Sequence, residues 1–330
     1  MRSVTLARSG ITTSKLGFGC APLMGRVGKA KGLRALAAAH EAGVRHIDVA
    51  RSYGYGEAEA ALAGFLKGRR ESVVLASKVG IAPPPPSLKR RVVLGVARPV
   101  LAAVPALRAR LAGRGGSLLE RVELDGETIR RSVEASLTAL RTDRLDLLLL
   151  HEATPESAGR DDVPETLERL VEAGKIRAWG VSTGIEETRR WRERLGDRLA
   201  LAQIAANPFE PGLDELGGGP GGGAFDLIGH SPFGGRLGWE TVDAIAGDVA
   251  LRRSFLDRFG ADPADRTAMA RLLMRYALSL PRTGPIVCSM YDERHLAANL
   301  EALEAPPLDL PGRRALERAF APGGLSEAAA

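Results

Sequence analysis

The chain is poor in cysteine, aromatic residues and lysine. Its 330 residues hold only two cysteines, Cys20 and Cys288, far apart in sequence. That argues against a disulfide framework and for a reducing compartment, so a cytoplasmic location is expected. Aromatic residues make up 5% of the chain, so the core must be built mainly from Leu, Val, Ile and Ala. No uninterrupted apolar run reaches the roughly 18 residues of a membrane span. The start, "MRSVTLARSG", lacks the apolar segment of a secretory leader. Neither a basic stripe interleaved with aromatics nor a Cys/His finger spacing is present, which leaves no pattern for nucleic-acid binding. His40, His46, His230 and His295 are not spaced with carboxylates or cysteines as metal ligands are, so no metal site is expected. The net charge of +6 comes mostly from Arg mixed with Asp and Glu. It reads as solvated helix faces rather than a single binding surface.

Short β-branched or Leu-rich runs alternate with helical patterns. Strands are expected at 15–21, 46–50, 73–79, 146–152, 176–183, 201–205, 225–231 and 285–290. Continuous apolar runs of this length suit parallel strands buried on both faces. Between them, Ile129, Val133, Leu137 and Leu140 recur at spacings of three and four, as do Leu167, Leu170 and Val171. "DVPE" (162–165) marks a helix start and Gly174 a stop, while Leu272, Leu273, Tyr276 and Leu280 mark another helix. Eight strands alternating with helices over this length predict an α/β fold, a (β/α)8 TIM barrel spanning 1–330 as one domain. "VTLARSGITTSKLG" reads as a hairpin closing the barrel bottom. A doubly wound sheet competes, but no G-x-G-x-x-G follows the first strand.

Two segments break the rhythm. Residues 81–126 form a long insertion after strand three, at the end of the barrel where active sites lie. It is expected to act as a lid over the site. Its apolar, basic stretch 92–113 also resembles a membrane-surface helix, but Pro99 and Pro105 interrupt it. "GGGPGGG" (217–223) reads as a flexible connector and leaves little room for a full helix between strands six and seven.

In such a barrel, strand C-terminal ends face the active site. Asp48 lies near the end of strand two and Tyr53 in the loop after it. Lys78 ends strand three and His151 ends strand four. Lys78 is one of only seven lysines, and a Lys inside "LASKVG" needs a counter-charge, which Asp48 on the next strand supplies. A nearby ammonium is expected to lower the phenol pKa of Tyr53, ordinarily about 10. Tyr53 then exchanges a proton near neutral pH, and His151 orients a substrate oxygen. Each residue alone has a plainer role: a turn cap, a packing ring, a structural ion pair, a core histidine. Together at three consecutive strand ends they suit carbonyl reduction. Side chains cannot supply hydride, so a nicotinamide is implied.

These residues resemble the aldo-keto reductase family. "GVRHIDVARSYGYGEAE" is similar to its Asp-to-Tyr-Gly segment, "VVLASKVG" to its lysine strand, "LTALRTDRLDLLLLHE" to the helix and strand that deliver its histidine, and "LVEAGKIRAWGVST" to its fifth strand. The resemblance covers nearly the whole chain apart from 81–126 and 209–224. It implies a metal-free reductase of small aldehydes or ketones that uses NADPH, with Asp48, Tyr53, Lys78 and His151 as its catalytic tetrad. It also implies that Ser182 and Gln203 hold the nicotinamide carboxamide. Thr183 stands where many members have Asn, and His230 where many have a stacking Tyr. Ser231, Gly234 and Leu237 lie where a loop covers the pyrophosphate, and Asn299 matches an adenine contact. Where members often carry Lys or Arg for the 2′-phosphate, this chain reads Ser289, Met290 and Tyr291, with Arg294 further on. That departure leaves NADH open beside NADPH. Two other readings stay open: a catalytically idle, cofactor-binding regulatory subunit, and an NAD-dependent sugar dehydrogenase.

Overall fold

The computed structural model describes residues 1–83, 120–156, 162–213, 216, 225–321 and 324. It begins with an antiparallel hairpin of β1 (Ser3–Leu6) and β2 (Ile11–Ser14). The eight barrel strands are β3 (Leu16–Gly19), β4 (His46–Asp48), β5 (Val74–Val79), β8 (Leu145–His151), β9 (Ile176–Ser182), β10 (Leu201–Ala205), β11 (Asp226–His230) and β12 (Thr283–Cys288). Between β5 and β8 lie two short strands, β6 (Ile81–Ala82) and β7 (Glu120–Arg121). The barrel strands are all parallel and pair in chain order, and β12 returns to pair with β3 and close the ring. Each expected strand is present, within a few residues at its ends.

The strands lack polar alternation because they are buried on both sides. Inside the barrel, Val74, Ala76, Leu147, Leu149, Ala178, Leu201, Ile228 and Val287 form one apolar cluster with Leu6 and Ile11 of the hairpin. The hairpin therefore joins the inner core, as the sequence suggested. Outside the barrel, helix Gly126–Leu140 turns Ile129, Val133, Leu137 and Leu140 inward, all buried. Helices Asp162–Glu172 and Arg266–Ser279 bury Leu167 and Leu170, and Leu272, Leu273 and Tyr276, in the same way. Truncating one such buried leucine to alanine typically costs about 2–5 kcal/mol.

Asp146, buried at the lower end of the barrel, is paired within the fold. Asp146 accepts from Leu75 N, and pairs with Arg70 at 2.8 Å and Arg177 at 2.9 Å. That carboxylate ties β5, β8 and β9 together and is structural.

The insertion leaves and returns as a ribbon, with Ile81–Ala82 antiparallel to Glu120–Arg121. Its base is fixed beside His151. Val122 N donates to Gly80 O at 2.9 Å, and Arg121 pairs with Glu152 at 2.7 Å. Most of the expected lid (84–119) and the glycine-rich connector 217–223 lie outside the described residues.

Candidate active site

The C-terminal mouth gathers polar side chains from five strands and one loop. Asp48 is the last residue of β4, and its backbone partner on β5 is Ala76. Lys78 lies two residues further along β5, on the same face, because strand side chains alternate. Lys78 Nζ donates to Asp48 Oδ1 in a short, fully buried ion pair. The other carboxylate oxygen, Oδ2, accepts from Gln203 Nε2 at 2.7 Å. Gln203 Oε1 in turn accepts from Ser182 Oγ at 2.9 Å. A polar chain thus runs from Ser182 on β9 through Gln203 on β10 and Asp48 on β4 to Lys78 on β5. Sequence reading assigned Ser182 and Gln203 to a cofactor amide only. Their bond to Asp48 joins residues 155 positions apart, and no local pattern announces it.

Tyr53 opens a short 3-10 turn, Tyr53–Gly56, whose entry is set by Tyr53 N donating to Ala50 O at 3.0 Å. Gly54 makes the close approach that holds this turn. It sits at φ +59°, and a Cβ there would lie 2.4 Å from Met24 Cβ and 2.5 Å from Leu23 O. The loops after β3 and β4 therefore lock together, and only glycine fits between them. So held, Tyr53 places Oη 3.5 Å from Lys78 Nζ, at the outer edge of hydrogen-bond length. The His151 ring stands edge-on to the Tyr53 ring, with centroids 6.2 Å apart.

Burial sets the protonation states. Burial would raise the Asp48 pKa, but the Lys78 ammonium and the hydrogen bonds from Lys78 and Gln203 hold it below its ordinary value. Burial would lower Lys78, yet the Asp48 carboxylate keeps it above the usual lysine value. Tyr53 runs against the sequence expectation. The Lys78 ammonium does pull its pKa down, but burial outweighs that pull and the net shift is upward. Burial, aided by Lys78, depresses His151 and His230 to about 4 each. At neutral pH the site therefore holds a carboxylate, an ammonium, a protonated phenol and neutral imidazoles. Such a phenol is a proton donor backed by a cation that stabilises the phenolate left behind.

The other expected residues flank this cluster. Thr183 follows Ser182, half-buried at the mouth. His230 ends β11, with Nδ1 2.9 Å from Ser231 Oγ. Gly234 sits at φ +65° and begins helix Gly235–Gly247 without a side-chain cap. A side chain there would collide with Phe209. Uncapped N–H groups at a helix start suit an anionic group. Leu237 is exposed on that helix. Ser289 Oγ donates to Gly19 O over 3.4 Å, and Asn299 is buried with its amide 3.3 Å from Cys288 Sγ. Arg294 is exposed and pairs with Asp292 at 3.1 Å.

Beyond the ends of β11 and β12 lies a cavity of about 670 Å³, lined by Phe233, Trp239, Arg266, Ser289, Arg294 and Asn299 among others. Aromatic and cationic walls there, neutral rings at the mouth and a helix start without a side-chain cap form a set that fits a dinucleotide. Phe233, Trp239 and Arg266 were not singled out from the sequence. Trp239 is one of only three tryptophans, but its role depends on three chain segments meeting.

Fold and site together define a (β/α)8 barrel with a titratable cluster at the strand C-terminal mouth. The aldo/keto reductase family model matches residues 15–217, and the chain belongs to that family. Among its relatives is a 6-dehydroglucose reductase of Agrobacterium fabrum, 32% identical over 73% of this chain and 73% of that protein. The aldo-keto reductase YhdN of Bacillus subtilis is 28% identical over 65% of this chain. The match spans only 56% of YhdN, little more than half its length. A solved aldo/keto reductase from Klebsiella pneumoniae, in complex with NADP and acetate, superposes with a TM-score of 0.63. It covers 98% of this chain and 96% of that one at 22% identity, a likeness of fold.

Proposed function

We propose that this chain is an NADPH-dependent oxidoreductase that reduces a small aldehyde or ketone to the alcohol, with Tyr53 as proton donor. The observation that carries the reading is the buried Asp48–Lys78 pair reaching a protonated Tyr53 at the barrel mouth. Relatives named as reductases of carbonyl compounds, 6-dehydroglucose and methylglyoxal among them, support the substrate class. Bound NADPH supplies the hydride that side chains cannot.

The chain's own residues do the rest. His151, neutral at pH 7, offers its ring to the carbonyl oxygen and orients it toward Tyr53. Tyr53 Oη gives its proton to that oxygen. The Lys78 ammonium favours the resulting phenolate, and Asp48 and Gln203 keep Lys78 aimed at it. Ser182 and Thr183 lie beside this cluster and are assigned to the carboxamide end of the cofactor, as is Gln203. The neutral His230 ring offers a stacking face. Ser231, Gly234 and Leu237 are assigned to the pyrophosphate segment, and Ser289, Arg294 and Asn299 to the adenosine end. The same groups run the reaction toward oxidation, so rates measured in both directions separate a reductase from a dehydrogenase.

The test is loss of NADPH absorbance in the presence of a panel of small aldehydes, ketones and oxo-sugars. Turnover with members of the panel is expected. Tight cofactor binding without turnover across it would instead identify an idle subunit.

A further inference from the structure

We propose that Glu59 is a positioning residue for the proton transfer: through Ser77 it ties the strand that carries Lys78 to the segment that carries Tyr53. This rests on the reading of Tyr53 as the proton donor. Lys78 belongs to β5, and Tyr53 to the turn that follows β4. Their polar atoms stand 3.5 Å apart, at the outer limit of a hydrogen bond. A small slip of strand against turn therefore breaks the contact. The close fit at Gly54 fixes the turn against Leu23 and Met24, in the loop after β3, and does not reach β5.

Side chains alternate along a strand, so Lys78 points into the barrel and its neighbour Ser77 points out, toward the helices. There Ser77 Oγ donates to Glu59 Oε1 at 2.7 Å. Glu59 is the second residue of helix Ala58–Leu66, which follows the Tyr53–Gly56 turn with only Glu57 between. One bond thus joins the neighbour of Lys78 to the helix that Tyr53 leads into. Ser136, on helix Gly126–Leu140, hydrogen-bonds the same carboxyl. Glu59, Ser77 and Ser136 are all buried.

Packing alone does not call for this group. The other buried residues of helix Ala58–Leu66 are Ala58, Ala61, Leu62, Phe65 and Leu66. A carboxyl buried among such side chains costs free energy unless its hydrogen bonds are made. A leucine in its place would bury without that cost. What the carboxyl adds is direction, since it bonds two other elements at fixed length. Burial raises its pKa, against the hydrogen bonds from Ser77 and Ser136 and the charge of Arg51. Arg51 follows β4 and is itself held to helix Gly126–Leu140, donating to Ser132 O at 3.1 Å. Glutamine reproduces the shape of a neutral carboxyl and a hydrogen-bonding group at each end of it. Leucine reproduces only the volume.

The test compares Glu59→Gln and Glu59→Leu with wild type by kcat, carbonyl KM and a crystal structure of each, with kcat counted per NADPH-binding enzyme. Glu59→Leu is expected to lose about ten- to hundredfold in kcat, since misplacing a reacting group by about 1 Å has effects of that order. Its KM and NADPH affinity should stay within about threefold of wild type, as for a contact that matters in the transition state. The separation of Lys78 Nζ and Tyr53 Oη should widen beyond 3.5 Å. Glu59→Gln should keep kcat within about threefold and keep the separation. A role in stability alone would lower the melting temperature and leave kcat per bound cofactor unchanged. Glu59→Leu with wild-type kcat and separation would overturn the proposal, and so would Glu59→Gln as slow as Glu59→Leu. If Glu59→Leu does not fold, Ser77→Ala removes the same bond from the other side, and an unchanged kcat and separation there would overturn it equally. The separation is read without turnover, which keeps the two claims apart. A wild type that reduces no carbonyl sinks the reductase reading, whereas an unmoved separation sinks this inference alone.

Discussion

Removing the Lys78 ammonium should cost more stability than removing the whole ion pair. Lys78 and Asp48 are both buried inside the barrel, and among the described residues Asp48 has one other side-chain hydrogen-bond partner, Gln203. Lys78→Met keeps the stem volume and deletes the charge, so Asp48 is left buried beside an amide only. Breaking a buried pair in this way costs about 3–5 kcal/mol, mostly the desolvation of the surviving ion. In the double variant Asp48→Asn with Lys78→Met, both charges go, and the loss should fall to about 1–2 kcal/mol. The pH dependence has a definite sign. Without Lys78, burial raises the Asp48 pKa in the folded state above its unfolded value of about 3.9. The penalty of the single variant is then absent at low pH and grows as pH rises past that value. Equilibrium urea unfolding of wild type, both single variants and the double variant, followed by tryptophan fluorescence at pH 5 and 8, gives the coupling. A Lys78→Met midpoint equal to wild type, or a double variant as weak as the sum of the singles, would refute the buried-pair account.

Two further perturbations probe the barrel around that pair. His46 is fully buried, and neither ring nitrogen has a partner among the described residues. Burial depresses it to about 4 from 6.5. The unfolded chain therefore binds the proton first as pH falls, and stability drops between pH 6.5 and 4 by about 3 kcal/mol from this residue. His151 and His230 contribute to the same limb of a plot of stability against pH, so His46→Leu should lessen its slope by about a third, and an unchanged slope would contradict it. Gly54→Ala should destabilise by about 2–4 kcal/mol, combining left-handed strain with overpacking. It should also cut kcat at least about tenfold by displacing Tyr53. A variant with wild-type melting and turnover would show that the two loops do not lock the tyrosine.

The barrel was readable because its strands obey one physical rule. Runs such as "DLLLLHE" are apolar on both faces, and that pattern suits a parallel strand wrapped by helices. Asp48, Lys78 and His151 stood out for the complementary reason, as polar groups that interrupt such runs at one end. The direction of the Tyr53 shift was not readable in the same way. It depends on how deeply loops 20–27 and 50–57 bury the phenol, and that is a tertiary property. The Gln203–Asp48 bond and the Arg266–Trp239 wall were hidden likewise. Each joins segments distant in sequence, and no local pattern pairs the two partners. Arg294 was noticed only because the expected basic positions were held by other residue types.

The central claim is that Tyr53 donates the proton. Tyr53→Phe removes one oxygen and leaves the Asp48–Lys78 pair, His151 and the cofactor residues in place. The decisive measurement is NADPH-dependent carbonyl turnover by this variant alongside its NADPH affinity. General acids typically contribute about 10²–10⁴-fold, so kcat should fall by that much while NADPH binds within about threefold of wild type. Full turnover by Tyr53→Phe, with the cofactor bound as tightly as before, would contradict the account.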